Sequence, residues 1–133
     1  MTAKSPKGIL GLEYDWLACD AAGNVGFFST AGAGFAPPVF LTDTDAHAGA
    51  IDALLAMPAS TAAVFYPEMD ETLTNTWRLI AERGVFAFDC NPNGGPYVLA
   101  AAPKEPVSVA ALPALVRDIV CQIQFRSFIL SQS

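Results

Sequence analysis

His47 is the only histidine in this chain of 133 residues, and it stands in the run Asp43-x-Asp45-x-His47. Three oxygen or nitrogen donors within five residues are of the type that holds a divalent cation. Positions i and i+2 do not share a helix face, however, and no second histidine completes a ligand set. Capping acids followed by an ordinary helix histidine account for the same residues, so no metal is expected. The same scarcity weighs against Cys–His or Ser–His catalysis, because either would need His47 as its base. Cys19 and Cys90 fall in predicted strands with no Lys or Arg close in sequence to stabilise a thiolate.

Two further patterns invite chemistry and fail on their details. Ser29-Thr30-Ala31-Gly32-Ala33-Gly34-Phe35 has the glycine content of a phosphate loop but no Gly-Lys-Ser/Thr. Ala36-Pro37 also stands where the third glycine of a dinucleotide fingerprint belongs, so the segment reads as a turn or a partner-contact loop. Asp15 and Asp20 could meet near the end of a hairpin, as the two carboxyls of a glycosidase must. Each is equally explained as a strand-end or turn residue, and Asp89 beside Cys90 likewise. The expectation is a protein without catalysis, metal or cofactor.

The charge is distributed unevenly. The formal charge is −6, with 13 acidic and seven basic residues. Between Lys7 and Arg78 there is no Lys or Arg, yet nine carboxylates occur: Glu13, Asp15, Asp20, Asp43, Asp45, Asp52, Glu68, Asp70 and Glu71. Such a stretch repels nucleic acid and attracts a basic partner. A hydrophobic fraction of 53% excludes intrinsic disorder, although 23 alanines enlarge that figure without enlarging the core in proportion. The length suits one domain over residues 1–133, with fraying expected at 1–12 and 131–133.

Lys4 and Lys7 precede too short an apolar run for a secretory signal, and the charge-free stretch 21–42 is broken by Gly and Pro. No membrane span is expected. Cys19, Cys90 and Cys121 are far apart, with apolar neighbours such as Leu17, Phe88 and Val120. They read as free, buried thiols of a reducing compartment, here the cytoplasm.

The elements that must position these residues follow from periodicity and turn chemistry. Residues 13–19 and 25–30 read as a hairpin around Asp20-Ala21-Ala22-Gly23-Asn24. Residues 31–38 read as a Gly- and Pro-rich loop. Asp43 or Thr44 caps a helix to about Met57, its inner stripe being His47 or Ala48, then Ile51, Leu54 and Leu55. Residues 61–66 can form a short strand. A second helix is predicted over 70–83, with Leu73, Trp77, Ile80 and Ala81 on one face, two acids in its first turn, and Gly84 just past its end. Residues 85–90 and 97–102 form a second hairpin. A short helix follows Ser108 or Leu112, and Cys121, Ile123 and Phe125 alternate as a half-buried strand. The fold class is α+β, a mainly antiparallel sheet of about five strands packed with two to three helices.

The stretch Glu13-Tyr14-Asp15-Trp16-Leu17-Ala18-Cys19-Asp20, then Gly23-Asn24-Val25-Gly26-Phe27-Phe28-Ser29-Thr30-Ala31-Gly32, resembles the N-terminal hairpin of small bacterial immunity proteins. These accompany polymorphic or contact-dependent toxins. Residues 85–89 and Gly94-Gly95-Pro96-Tyr97 are similar to their second hairpin. The resemblance implies a cytoplasmic protein that binds a cognate toxin and blocks its active site, and it assigns no functional residue. A nuclease-type toxin presents a basic groove to phosphate. The expected contacts are therefore Asp43, Asp45, Asp52, Glu68, Asp70 and Glu71, with Phe28, Phe35, Phe40, Tyr66 and Trp77 as candidate anchors. The alternative is a small-ligand or regulatory domain with the Gly-rich loop over a pocket. A homodimer through an exposed strand edge is compatible with either.

Overall fold

A computed structural model describes residues 3–5, 8, 13–30, 35–65, 75–90 and 97–125. The first hairpin forms as its turn chemistry requires. Strands β1 (Asp15–Asp20) and β2 (Val25–Ser29) pair antiparallel, with Trp16 opposite Phe28 and Leu17 opposite Phe27. Asp20 closes the turn by accepting the Ala22 and Asn24 backbone N–H groups, both at 2.9 Å. Gly23 takes a left-handed φ of 84°.

Pro38 then opens a short helix, α1 (Pro38–Thr42), inside the segment expected to be loop. Proline at a first helical position lacks only an N–H that would have no partner there. Asp43 ends α1 and caps α2 (Thr44–Leu55), accepting the Ala46 N–H at 3.2 Å. Strand β3 (Ala63–Phe65) follows. Helix α3 (Thr76–Ala81) is shorter than predicted: Asn75 is its N-cap, taking the Arg78 N–H at 2.9 Å. No acid stands in its first turn. The expected start near Asp70, and Leu73, lie outside the described residues.

Strands β4 (Phe86–Asp89) and β5 (Val98–Pro103) make the second hairpin, with a register shift after Ala87. A 3₁₀ turn (Val109–Ala111) capped by Ser108 leads to α4 (Ala114–Val120) and the two-residue strand β6 (Gln124–Phe125). Cys121 is thus the C-cap of α4 rather than part of a strand, and it is exposed rather than buried.

The α+β class holds, with corrections to its detail. Among the described residues one sheet has six strands in the order β3-β5-β4-β2-β1-β6, accompanied by four α-helices. The sheet is mixed: β2–β4 and β1–β6 are parallel, the other three pairings antiparallel. After β2 the chain crosses through α1, α2, β3 and α3 before returning beside β2 in the same direction. Parallel neighbours need such a long crossover.

Alternation along the strands builds a core on each face. Leu17, Cys19, Val25, Phe27 and Ala87 meet Ile51 and Leu54 of α2, Ile80 of α3, and Val116 and Val120 of α4. On the other face Trp16, Phe28 and Phe86 meet Phe40 and Leu41 of α1. There Trp16, Phe28 and Phe88 stack in a row across β1, β2 and β4, at ring separations of 4.2 and 4.9 Å. No helix among the described residues is long and apolar enough to cross a membrane.

Candidate functional site

Helix α2 turns two unlike faces outward and inward. Thr44, His47, Ala50, Ile51 and Leu54 are buried. Asp45, Ala48, Gly49 and Asp52 are exposed. Asp45 and Asp52, at i and i+7, lie on one side of the helix about 10 Å apart along its axis. Asp43 is half-buried at the cap and serves the helix end. Glu68, Asp70 and Glu71 lie outside the described residues, so three of the six expected contacts are located and two of those face outward. Among the described residues the ion pairs are Arg78–Glu82 at 3.3 Å and Arg83–Glu82 at 4.0 Å, both centred on the exit of α3.

The Asp43-x-Asp45-x-His47 run does not converge on a point. Asp43 faces the backbone it caps, Asp45 faces outward, and His47 faces the core. His47 is 1% exposed; its Nδ1 accepts the Leu17 N–H at 3.1 Å, and its ring stands edge-on to Phe40. The proton therefore sits on Nε2, which has no partner. Burial lowers the pKa to about 4 from 6.5, with Asp43 opposing the shift. β1 runs past the end of the two-residue β6, so its Leu17 N–H has no strand beyond it; the imidazole supplies the acceptor.

Asp15 and Asp20 do not meet. They occupy opposite ends of β1, about 17 Å apart at strand rise. Asp15 instead lies with Ser29 and Asp89, two further strand-end residues. It is opposite Ser29, whose hydroxyl hydrogen-bonds its carboxylate, and Phe28 pairs with Phe88 one step before Asp89. By strand alternation Asp15, Ser29 and Asp89 share one face at the end where parallel β2 and β4 both finish. Ligands of α/β sheets bind at such carboxyl ends. Burial first, then Glu13 and Asp89, raise the Asp15 pKa against the opposing Ser29 bond. Its Oδ1 is buried without a partner. On the other face Tyr97 takes the Trp16 Nε1–H at 3.1 Å and donates to the Phe35 carbonyl, and burial pushes its hydroxyl up to about 12. The signal for this grouping was the hairpin pairing of Asp15 with Ser29; the β2–β4 pairing that adds Asp89 had no local signature.

Of the candidate anchors, Phe28 and Phe40 are core, Trp77 is half-buried, and Tyr66 lies outside the described residues. Phe35 is 63% exposed, and Val39 of α1 is also exposed. An apolar pair thus precedes the carboxylates of α2 on one continuous segment. No family of known proteins, no curated protein and no solved structure matches the chain.

Proposed function

We propose that this protein is an immunity-type inhibitor, a non-catalytic partner that covers the basic active site of a cognate bacterial toxin in the cytoplasm. The observation that carries the reading is the outer face of α2. Asp45 and Asp52 stand there with only Ala48 and Gly49 between them, in a stretch of sequence from residue 8 to 77 that holds no Lys or Arg. Exposed carboxylates on one helix face steer a cationic partner and set its orientation. Exposed Phe35 and Val39, a few residues upstream, supply apolar surface that charge alone does not. Glu68, Asp70 and Glu71 belong to the same acidic stretch in sequence and extend the proposed contact set, with Asp43 fixing the start of the helix.

The test is capture of a stoichiometric partner from the native host on the tagged full chain, followed by measurement of its activity and affinity. The expected partner is a strongly basic domain whose activity the chain abolishes. The double reversal Asp45→Lys with Asp52→Lys should weaken binding by roughly 100-fold. Unchanged affinity would remove α2 from the interface. A small molecule retained through purification in place of a protein would move the function to the Asp15–Ser29–Asp89 end of the sheet.

A further inference from the structure

Two of the three cysteines, 102 positions apart in sequence, are brought together by the fold. Cys19 lies near the end of β1, 4% exposed, and its N–H donates to the Ile123 carbonyl at 3.0 Å. Its partner in the parallel register is Gln124. Cys121 caps α4 only three residues before Gln124, with its own N–H bonded to the Arg117 carbonyl at 2.9 Å. The Cys19 thiol hydrogen-bonds that of Cys121, whose side chain is exposed. Cys90 lies at the opposite end of the sheet, since β4 runs antiparallel to β1.

We propose that Cys19 and Cys121 are an oxidation site, closing to an intramolecular disulfide when the protein meets a peroxide. The inference is independent of the partner reading. Exposed Cys121 meets the oxidant first. Its thiolate attacks one peroxide oxygen, the O–O bond breaks, and a sulfenic acid forms on Cys121 as hydroxide leaves and is protonated to water. The Cys19 sulfur, giving up its proton, then attacks the Cys121 sulfur; the S–O bond breaks, the S–S bond forms, and a second water leaves. In balance, two thiols and one hydrogen peroxide yield one disulfide and two waters. The product ties the end of α4 and the two-residue β6 to β1, where the parallel pairing is shortest.

Burial, the Cys121 thiol and Asp20 raise the Cys19 thiol to about 11. The resolving step therefore draws on a scarce thiolate, and its rate should rise about tenfold per pH unit above neutrality.

The experiment treats the reduced full chain with stoichiometric hydrogen peroxide and follows it by thiol titration under denaturing conditions and by non-reducing peptide mapping. Free thiols should fall from three to one, with one linked peptide pair containing Cys19 and Cys121. Cys90→Ser should behave like the parent, losing both of its thiols. Cys19→Ser should stop at a Cys121 sulfenic acid that a dimedone probe traps. The oxidised chain should melt roughly 10 °C higher, as a cross-link closing a loop of this length implies. A parent chain in which Cys121 proceeds to sulfinic acid, or pairs between molecules while Cys19 stays reduced, overturns the proposal.

Discussion

Lowering the pH should unfold this protein partly through one residue, and the size of the effect can be worked out. His47 has a folded pKa of about 4 against 6.5 when exposed. A depressed folded pKa means that the unfolded chain binds the proton more readily. The neutral-imidazole contribution is therefore fully present above pH 6.5, declines as pH falls through the window 6.5 to 4, and is lost below it. The full span is worth about 3 kcal/mol, of which about 2 kcal/mol falls between pH 7 and pH 4.5. His47→Asn isolates the term, because its Oδ1 can still accept the Leu17 N–H while nothing titrates. The smaller side chain leaves space against Phe40, so the variant should be about 1–3 kcal/mol less stable at pH 7. Urea unfolding at a series of pH values, followed by tryptophan fluorescence, gives both curves. Carboxylates common to the two proteins cancel in the difference. The variant should lose about 2 kcal/mol less than the parent between pH 7 and 4.5, so that the curves converge in acid. Parallel curves would show that His47 is not held neutral by its burial.

Two glycines should respond to alanine with opposite signs. Gly84 has φ 87°, and a Cβ there would stand 2.7 Å from both the backbone N and the Cβ of Val107, so Gly84→Ala should cost roughly 2–5 kcal/mol in chemical denaturation. Gly49 has nothing within 4 Å of that position inside α2, so Gly49→Ala should stabilise by about 0.5–1 kcal/mol; a loss there would reveal a contact that the structure lacks. Asp15→Asn should also stabilise at neutral pH. The folded pKa of Asp15 is raised, so its charged form burdens the folded state increasingly as pH rises through that value, and the advantage of the variant should shrink toward pH 4 in thermal melts. An advantage that grew on acidification would refute this account of Asp15.

What the sequence made legible was local. The turn at 20–24, the Asp43 cap and the second hairpin each depend on residues within a few positions of one another, and each formed where expected. The inner stripe of α2 resolved in favour of His47 over Ala48. The mixed sheet was not legible, because β2 and β4 pair across more than fifty residues and neither strand differs in composition from an antiparallel one. The meeting of Asp15 with Asp89, and of Cys19 with Cys121, depends on those parallel pairings and was hidden for the same reason. Alternation at Cys121, Ile123 and Phe125 misled because α4 runs to Val120, so Cys121 belongs to a helix end and Ile123 is buried on the return.

The composition of the outer face of α2 bears on the proposed function through stability. A helix whose only task is to cover the sheet gains from alanine over glycine at an exposed interior position, and from a mixture of charges rather than acids alone. Gly49 forgoes that gain with no neighbour to require it, and Asp45 and Asp52 flank it without a Lys or Arg anywhere in the helix. Packing on this protein's own core explains His47, Ala50, Ile51 and Leu54, and Asp45 in the first turn suits the helix dipole, but neither accounts for Gly49 or Asp52. A partner that approaches closely between two carboxylates would explain both. Gly49→Ala therefore separates the two accounts: on the structural account stability rises and binding of the captured partner is unchanged, whereas on the inhibitory account stability rises while affinity falls. The second outcome is the one expected, since an added methyl helps the helix and obstructs the surface laid against it.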